Sequence, residues 1–213
     1  HYDHLGTING NIYYGADDDG SGTVALIELA NAFSKAKAEG NSPRRTVVFI
    51  AFSGEEKGLL GSYFYSENPA LPFNSTTANL NIDMIGRIDT ERKLPDTLNY
   101  VYVVGHNKLS SELPGLLKNA LSENFSMSLD YKFDDPNDPN RIYYRSDHYN
   151  FARKGVPVLF FYDGMLKADY HKPSDTVDKI NWALYEKRAR FIFYVAWDLA
   201  NRENMLLRDL PLN

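Results

Sequence analysis

The sequence predicts an α/β fold with a mostly parallel central sheet and helices on both faces. Apolar runs of strand length alternate with longer segments of helical period, the pattern of repeated strand–helix units. The runs 46–52 and 156–162 are almost continuously apolar, as strands buried on both faces of a parallel sheet must be. Acidic residues and histidines recur just after predicted strands, at the sheet edge where such folds bind ligands.

The elements follow in order. Residues 20–38 read as a helix carrying Val24, Leu26, Ile27, Leu29, Ala30 and Phe33, and Gly40-Asn41-Ser42-Pro43 ends it. Residues 46–52 form a buried parallel strand, and 58–66 a short helix. Residues 78–84 and 100–104 are strands. Residues 110–124 form a helix interrupted early by Pro114-Gly115, and 156–162 another strand. Residues 182–202 make a long closing helix whose Leu184, Ala189, Phe191, Ile192, Val195 and Leu199 are core positions.

A chain of 213 residues suits one domain with a sizeable core, and no repeat or linker divides it. The net charge of −5 excludes a nucleic-acid surface, which needs a basic footprint. No uncharged apolar run is long enough to span a membrane. Cysteine is absent, so there is no disulfide and no thiolate metal site. A metal must sit on His, Asp and Glu.

Five segments offer those groups. His1-Tyr2-Asp3 places a carboxylate two residues from a histidine, where it can accept the ring N–H and fix the tautomer. Asp17-Asp18-Asp19 runs straight into the first helix. A helix N-terminus accounts for one or two acidic residues, and a third is easier to understand if a dication offsets the repulsion. Glu55-Glu56 stands between Gly54 and Gly58 where the predicted strand emerges. One glutamate can bind metal while its neighbour takes a proton from water. Asp83 lies among apolar residues at a strand end. It is either a ligand or half of a salt bridge to Arg87. His171 sits in a polar loop after the last strand. Two histidines and three carboxylates suit a paired Zn²⁺ site.

These strings resemble the di-zinc aminopeptidases of peptidase clan MH, relatives of bacterial leucyl aminopeptidases and of glutamate carboxypeptidase II. The matching segments are HYDHLG from His1, GADDDGSG from Gly15, FSGEEKGLLGS from Phe52, NIDMIGR from Asn81, RSDHYNFARKGVP from Arg145 and DYHKPSDT from Asp169. The resemblance implies the zinc-dependent exopeptidase fold (phosphorylase/hydrolase-like) and two zinc ions per chain. His1 and Asp83 would hold one ion, Glu56 and His171 the other, and Asp18 would bridge them. Glu55 would be the general base, and Tyr170 would face the developing oxyanion. Asp3, Asp19, Ser146 and Asp147 would support the ligands. The Asp18–Asp19 peptide is expected to be cis. The implied activity is hydrolysis of N-terminal peptide bonds, with a peptide or small-protein N-terminus as substrate and export to the periplasm or outside the cell.

Relatives of this kind carry strands upstream of the first motif, so N-terminal strands are expected to be missing from residues 1–213. The same clan also holds carboxypeptidases, dipeptidases, glutaminyl cyclases with a single zinc, and a receptor ectodomain without catalysis. The full ligand set speaks against the last two. Outside the motifs, Asp130, Asp134, Asp135 and Asp138 crowd a stretch with Pro136 and Pro139. It is either a Ca²⁺ loop or an acidic surface loop that binds nothing. Side-chain preference and oligomeric state are not encoded in any motif.

Overall fold

The computed structural model describes residues 1–121 and 125–212. Strand β1 (Gly6–Ile8) and strand β2 (Asn11–Tyr13) form an antiparallel hairpin. Asn9 and Gly10 between them both take positive φ, 52° and 81°, as a two-residue hairpin turn requires. Helix α1 (Gly20–Ala38) follows. The Asp19 side chain accepts the Gly22 N–H at its start, and Ala25, Leu29 and Phe33 face inward at four-residue spacing. A Cβ on Gly22 would lie 2.3 Å from the Ile82 carbonyl, so only glycine lets the helix start so close to a strand end.

Next come helix α2 (Leu60–Glu67), strand β3 (Asn79–Ile82), strand β4 (Tyr100–Val104) and helix α3 (Leu113–Asn119). Strand β5 (Ser128–Asp130), helix α4 (His148–Ala152), strand β6 (Val158–Tyr162) and helix α5 (Trp182–Asn201) complete the chain. The central sheet has the order β3-β6-β4-β5. β3 runs parallel to β6 and β4 parallel to β5, while β4 and β6 are antiparallel, so the sheet is mostly parallel.

Side-chain alternation sorts the core into two layers. Val101, Val103, Leu159 and Phe161 meet Ala25 and Leu29 of α1, Leu113, Leu116 and Leu117 of α3, and Phe191, Ile192 and Val195 of α5. On the opposite face, Tyr100, Tyr102, Val104, Val158, Phe160 and Tyr162 meet Phe151 and Ala152 of α4, with Ile142, Tyr143 and Phe133. Helices therefore cover both faces.

Two expectations are corrected, and one open alternative is narrowed. Residues 46–52 belong to no ladder among the described residues, and they are half-buried or exposed rather than buried. A strand exists through its neighbours, and this segment is pinned only near its ends, by Arg45 N–H to the Ala200 carbonyl and Tyr2 N–H to the Phe52 carbonyl. The helix expected over 110–124 is limited to α3 because Pro114 lies in its first turn. Its expected last three residues, 122–124, lie outside the described residues. The carboxylates of the 130–140 stretch do not converge. Asp130 pairs with Arg92 and Asp134 with Lys108 and His106, while Asp135 and Asp138 accept backbone N–H groups within their own turns. Each of the four carboxylates has a partner within the protein, which favours the acidic surface loop over the Ca²⁺ loop.

Candidate metal centre

The site lies beyond the carboxyl ends of β3 and β6, which run in the same direction. β3 ends at Ile82 and delivers Asp83. The following residue, Met84, holds φ 58°, and His171 holds φ 54°. Non-glycine residues keep this left-handed conformation only where their surroundings impose it. The loop after β6 supplies His171, the turn before α1 supplies Asp18, and a 3-10 turn at Glu55–Lys57 supplies Glu55 and Glu56.

The five expected ligands come together, with Glu55 among them. Asp18 Oδ1 lies 3.3 Å from His1 Nε2, and its Oδ2 lies 3.1 Å from His171 Nε2. One carboxylate thus turns one oxygen to each imidazole. His1 Nε2 is 3.8 Å from Asp83 Oδ2 and 3.7 Å from Glu55 Oε2, and His171 Nε2 is 3.0 Å from Glu56 Oε2. His1 Nδ1 sits 3.0 Å from the Asp3 carbonyl oxygen. A carbonyl can only accept, so Nδ1 carries a hydrogen and Nε2 is the nitrogen that faces the site. Asp3 therefore orients His1 through its backbone and not through its carboxylate, which is 3.8 Å away and accepts the Glu55 N–H at 3.3 Å instead.

The supporting residues are placed with equal economy. Ser146 donates to Asp83 Oδ2 at 2.6 Å and accepts from Asn81 at 2.8 Å. Asp19 caps α1 and also accepts the Met84 N–H at 3.0 Å, tying the helix start to the residue after Asp83. Asp147 is buried, and burial pushes it up to about 6. The Asp18–Asp19 peptide is cis. Tyr170 stacks on His171, and its hydroxyl accepts from Arg145 at 3.0 Å. Arg87 does not pair with Asp83. Its guanidinium lies 2.6 Å from Asp169 and 3.6 Å from Asp175.

Sequence reasoning missed Asp175, although it stands in a quoted motif. It accepts the N–H groups of both Asp17 and Asp18 at 3.1 Å and so fixes the backbone of the central carboxylate. It also missed the apolar wall of the cleft. Met84, Ile142, Phe160, Tyr162 and Leu166 face His1, Asp18, Glu55 and Asp83, with Arg145 and Tyr170 beside them. Phe160 and Tyr162 could have been found from strand alternation, since they share a face of β6.

The donor chemistry fits divalent cations. Burial opposes a charged His1, but its hydrogen bond to Asp18 and the fields of Asp83, Asp19 and Glu55 outweigh that and push it up to about 12. Burial, then the field of Asp83, raises Glu55 to about 9. Burial also raises Asp83 to about 6 despite the opposing field of His1. The Asp18 and Glu56 carboxylates beside it raise His171 to about 9. A pocket that draws protons onto buried carboxylates and imidazoles at once gives them up to a dication that carries more charge. Two donor groups recur in the geometry, His1 with Glu55 and Asp83, and His4 with Asp18 and Glu56.

An α/β sheet with a mixed His–carboxylate cluster at its strand ends fits the class of metal-dependent hydrolases. Residues 1–196 match peptidase family M28, and the chain belongs to that family. It is 30% identical over 206 residues to a probable leucine aminopeptidase of Arthroderma benhamiae, covering 92% of this chain and 52% of that protein. Among solved structures, the Legionella pneumophila LapA aminopeptidase superposes with a TM-score of 0.72 at 23% identity, over 94% of this chain and 50% of the other. The aminopeptidase from Aneurinibacillus sp. strain AM-1 gives 0.62 at 25% identity, over 93% and 43%. The chain spans about half the length of the curated relatives it matches. Among the described residues no helix is long and apolar enough to cross a membrane.

Proposed function

We propose that residues 1–213 are the catalytic unit of a zinc-dependent aminopeptidase that holds two zinc ions. The observation that carries this reading is the carboxylate of Asp18, set between His1 and His171 with Glu55 beside it. His1 and Asp83 would hold one ion and Glu56 and His171 the other, with Asp18 shared. Zinc, when bound, supplies Lewis acidity and makes water a nucleophile near neutral pH.

The chain's own residues do the rest. Glu55 takes the proton of the attacking water and returns it to the leaving amine. The Asp3 carboxylate, accepting the Glu55 N–H, keeps that base at the mouth of the cluster. The Tyr170 hydroxyl, which accepts from Arg145 at the edge of the cleft, would donate to the oxyanion. Ser146 holds Asp83 in place. The apolar wall takes the first side chain of the peptide and excludes water.

A free α-amino group would be held by the carboxylates that exceed the charge of the metals. Acetylation removes its charge and donors and leaves those carboxylates unpaired, a cost of several kcal/mol. N-acetylated peptides are therefore cleaved about a hundredfold or more slowly than the same peptides with free amines. The test compares kcat/KM for one zinc-loaded preparation on both forms. Equal rates would replace the aminopeptidase reading with a carboxypeptidase or dipeptidase on the same scaffold. Cyclisation of N-terminal glutamine without hydrolysis would point to a glutaminyl cyclase.

A further inference from the structure

His4 belongs to none of the five ligands, yet it faces them. Its side chain is 9% exposed, and neither ring nitrogen has a hydrogen-bond partner. Nδ1 lies 2.7 Å from Glu56 Oε1, but the two are not aligned as a hydrogen bond, and Oε1 is itself without a partner. Asp18 Oδ2 has only His171 Nε2 near it, at 3.1 Å and out of hydrogen-bond alignment. Buried polar atoms left unpaired are costly, and three of them here come from three different side chains turned on one another. Their donor atoms all lie within 4.8 Å of one another.

The backbone makes room for the ring. Gly15 holds φ +62°, and a Cβ there would lie 2.6 Å from His4 Cγ and 2.4 Å from the Asp18 carbonyl. One glycine thus serves the turn that presents Asp18 and the slot that admits His4. The ring also meets His171 edge to face at 5.9 Å between centroids.

We propose that His4 is a further metal ligand, joining Asp18, Glu56 and His171 so that the second metal position holds two imidazoles. A cation shared by Nδ1, Glu56 Oε1 and Asp18 Oδ2 satisfies the three atoms that hydrogen bonds leave unpaired. A nitrogen-rich position favours zinc, copper and nickel over magnesium, calcium and manganese, so this position fills first and empties last. The proposal rests on the paired-metal reading above.

The test is made on the whole zinc-loaded chain. X-ray absorption should find three imidazoles over two zinc ions, and in His4→Ala the imidazole scattering per zinc should fall by about one third. In chelator competition, His4→Ala should weaken one of the two zinc ions at least about a hundredfold and leave the other unchanged. His4→Gln keeps a hydrogen-bond donor near Glu56 but lacks the imidazole, and it should show the same loss. Two imidazoles in the unaltered chain would overturn the proposal. So would a His4→Gln variant with unaltered zinc affinity, which would reduce His4 to a hydrogen-bond partner of Glu56. A chain that takes up no zinc would remove the metal-centre reading itself, whereas two zinc ions with two imidazoles would remove only His4.

Discussion

At Asp18 the two oxygens of one carboxylate face two different histidines, whereas Asp83 faces His1 alone. Removing Asp18 should therefore disturb both metal positions and removing Asp83 only one. Metal analysis of purified Asp18→Ala and Asp83→Ala is expected to find less zinc in the first. Equal loss of one ion from each would show that Asp18 is not shared. Glu55 makes a different prediction because it is a base and not a ligand in this reading. Glu55→Gln keeps the shape of the side chain and removes the proton acceptor, so kcat should fall by roughly 10²–10⁴ with zinc content unchanged. Steady-state kinetics and metal analysis on one preparation decide it, and substantial turnover or lost zinc would exchange the roles of Glu55 and Glu56. The shared role of Asp18 and the choice of Glu55 over Glu56 as base came from the family resemblance, and residue types alone gave only the division of labour between the two glutamates. The role of the Asp3 backbone came from neither, because a motif names a side chain and says nothing of which carbonyl meets a ring.

Among the elements, α4 carries a buried histidine with a consequence for acid stability. His148 lies flat on Phe160, and its Nε2 meets the Tyr143 carbonyl at 2.8 Å. Burial pushes it down to about 3. In the unfolded chain it titrates near 6.5, so between pH 6.5 and 3 the unfolded chain binds the extra proton. Its contribution is whole above pH 6.5 and is lost as pH falls towards 3, by at most about 1.4 kcal/mol per pH unit. Urea unfolding at pH 7 and pH 5 should show a drop smaller by about 2 kcal/mol in His148→Phe than in the unaltered chain. Equal drops would show that His148 takes up its proton in the folded state. Most of the elements were legible in the sequence. The boundaries of α1 and β4 were read without error, because strong periodicity ended at glycine or met an uninterrupted apolar run. The hairpin of β1 and β2 was missed although Asn9-Gly10 signals it. Its strands are short and mostly exposed, and they carry no apolar pattern. Residues 46–52 failed for the opposite reason. Their apolar run is real, but pairing depends on a neighbour that a local pattern does not reveal.

The whole molecule converges on the His–carboxylate cluster. Five segments far apart in sequence bring His1, Asp18, Glu55, Glu56, Asp83 and His171 together, and like charges among them oppose that convergence unless cations join them. Ligands that bind the folded chain alone stabilise it by about 2.7 kcal/mol per site at a hundredfold excess over Kd. For a chain of this size that corresponds to roughly 5–10 °C in Tm for each site. Stripping the protein with a chelator should lower Tm by at least that amount, and returning zinc should restore it. A melting curve indifferent to chelation would leave the cluster without a structural role for metal.

Arg188 in α5 is fully buried, and its guanidinium donates to the carbonyls of Ile85, Arg87 and Tyr100. The first two belong to the loop directly after Asp83, yet Arg188 follows them in the chain by 103 and 101 residues. On a ribosome making about 5–20 residues per second, that interval lasts about 5–20 seconds. Throughout it, the bed beneath the cluster lacks the cation that draws its carbonyls together. A nascent chain cut short before α5 would therefore carry all five segments of the cluster and still lack a settled bed beneath them. Synthesis itself acts as a safety catch, since the loop after Asp83 is not seated until α5 has emerged.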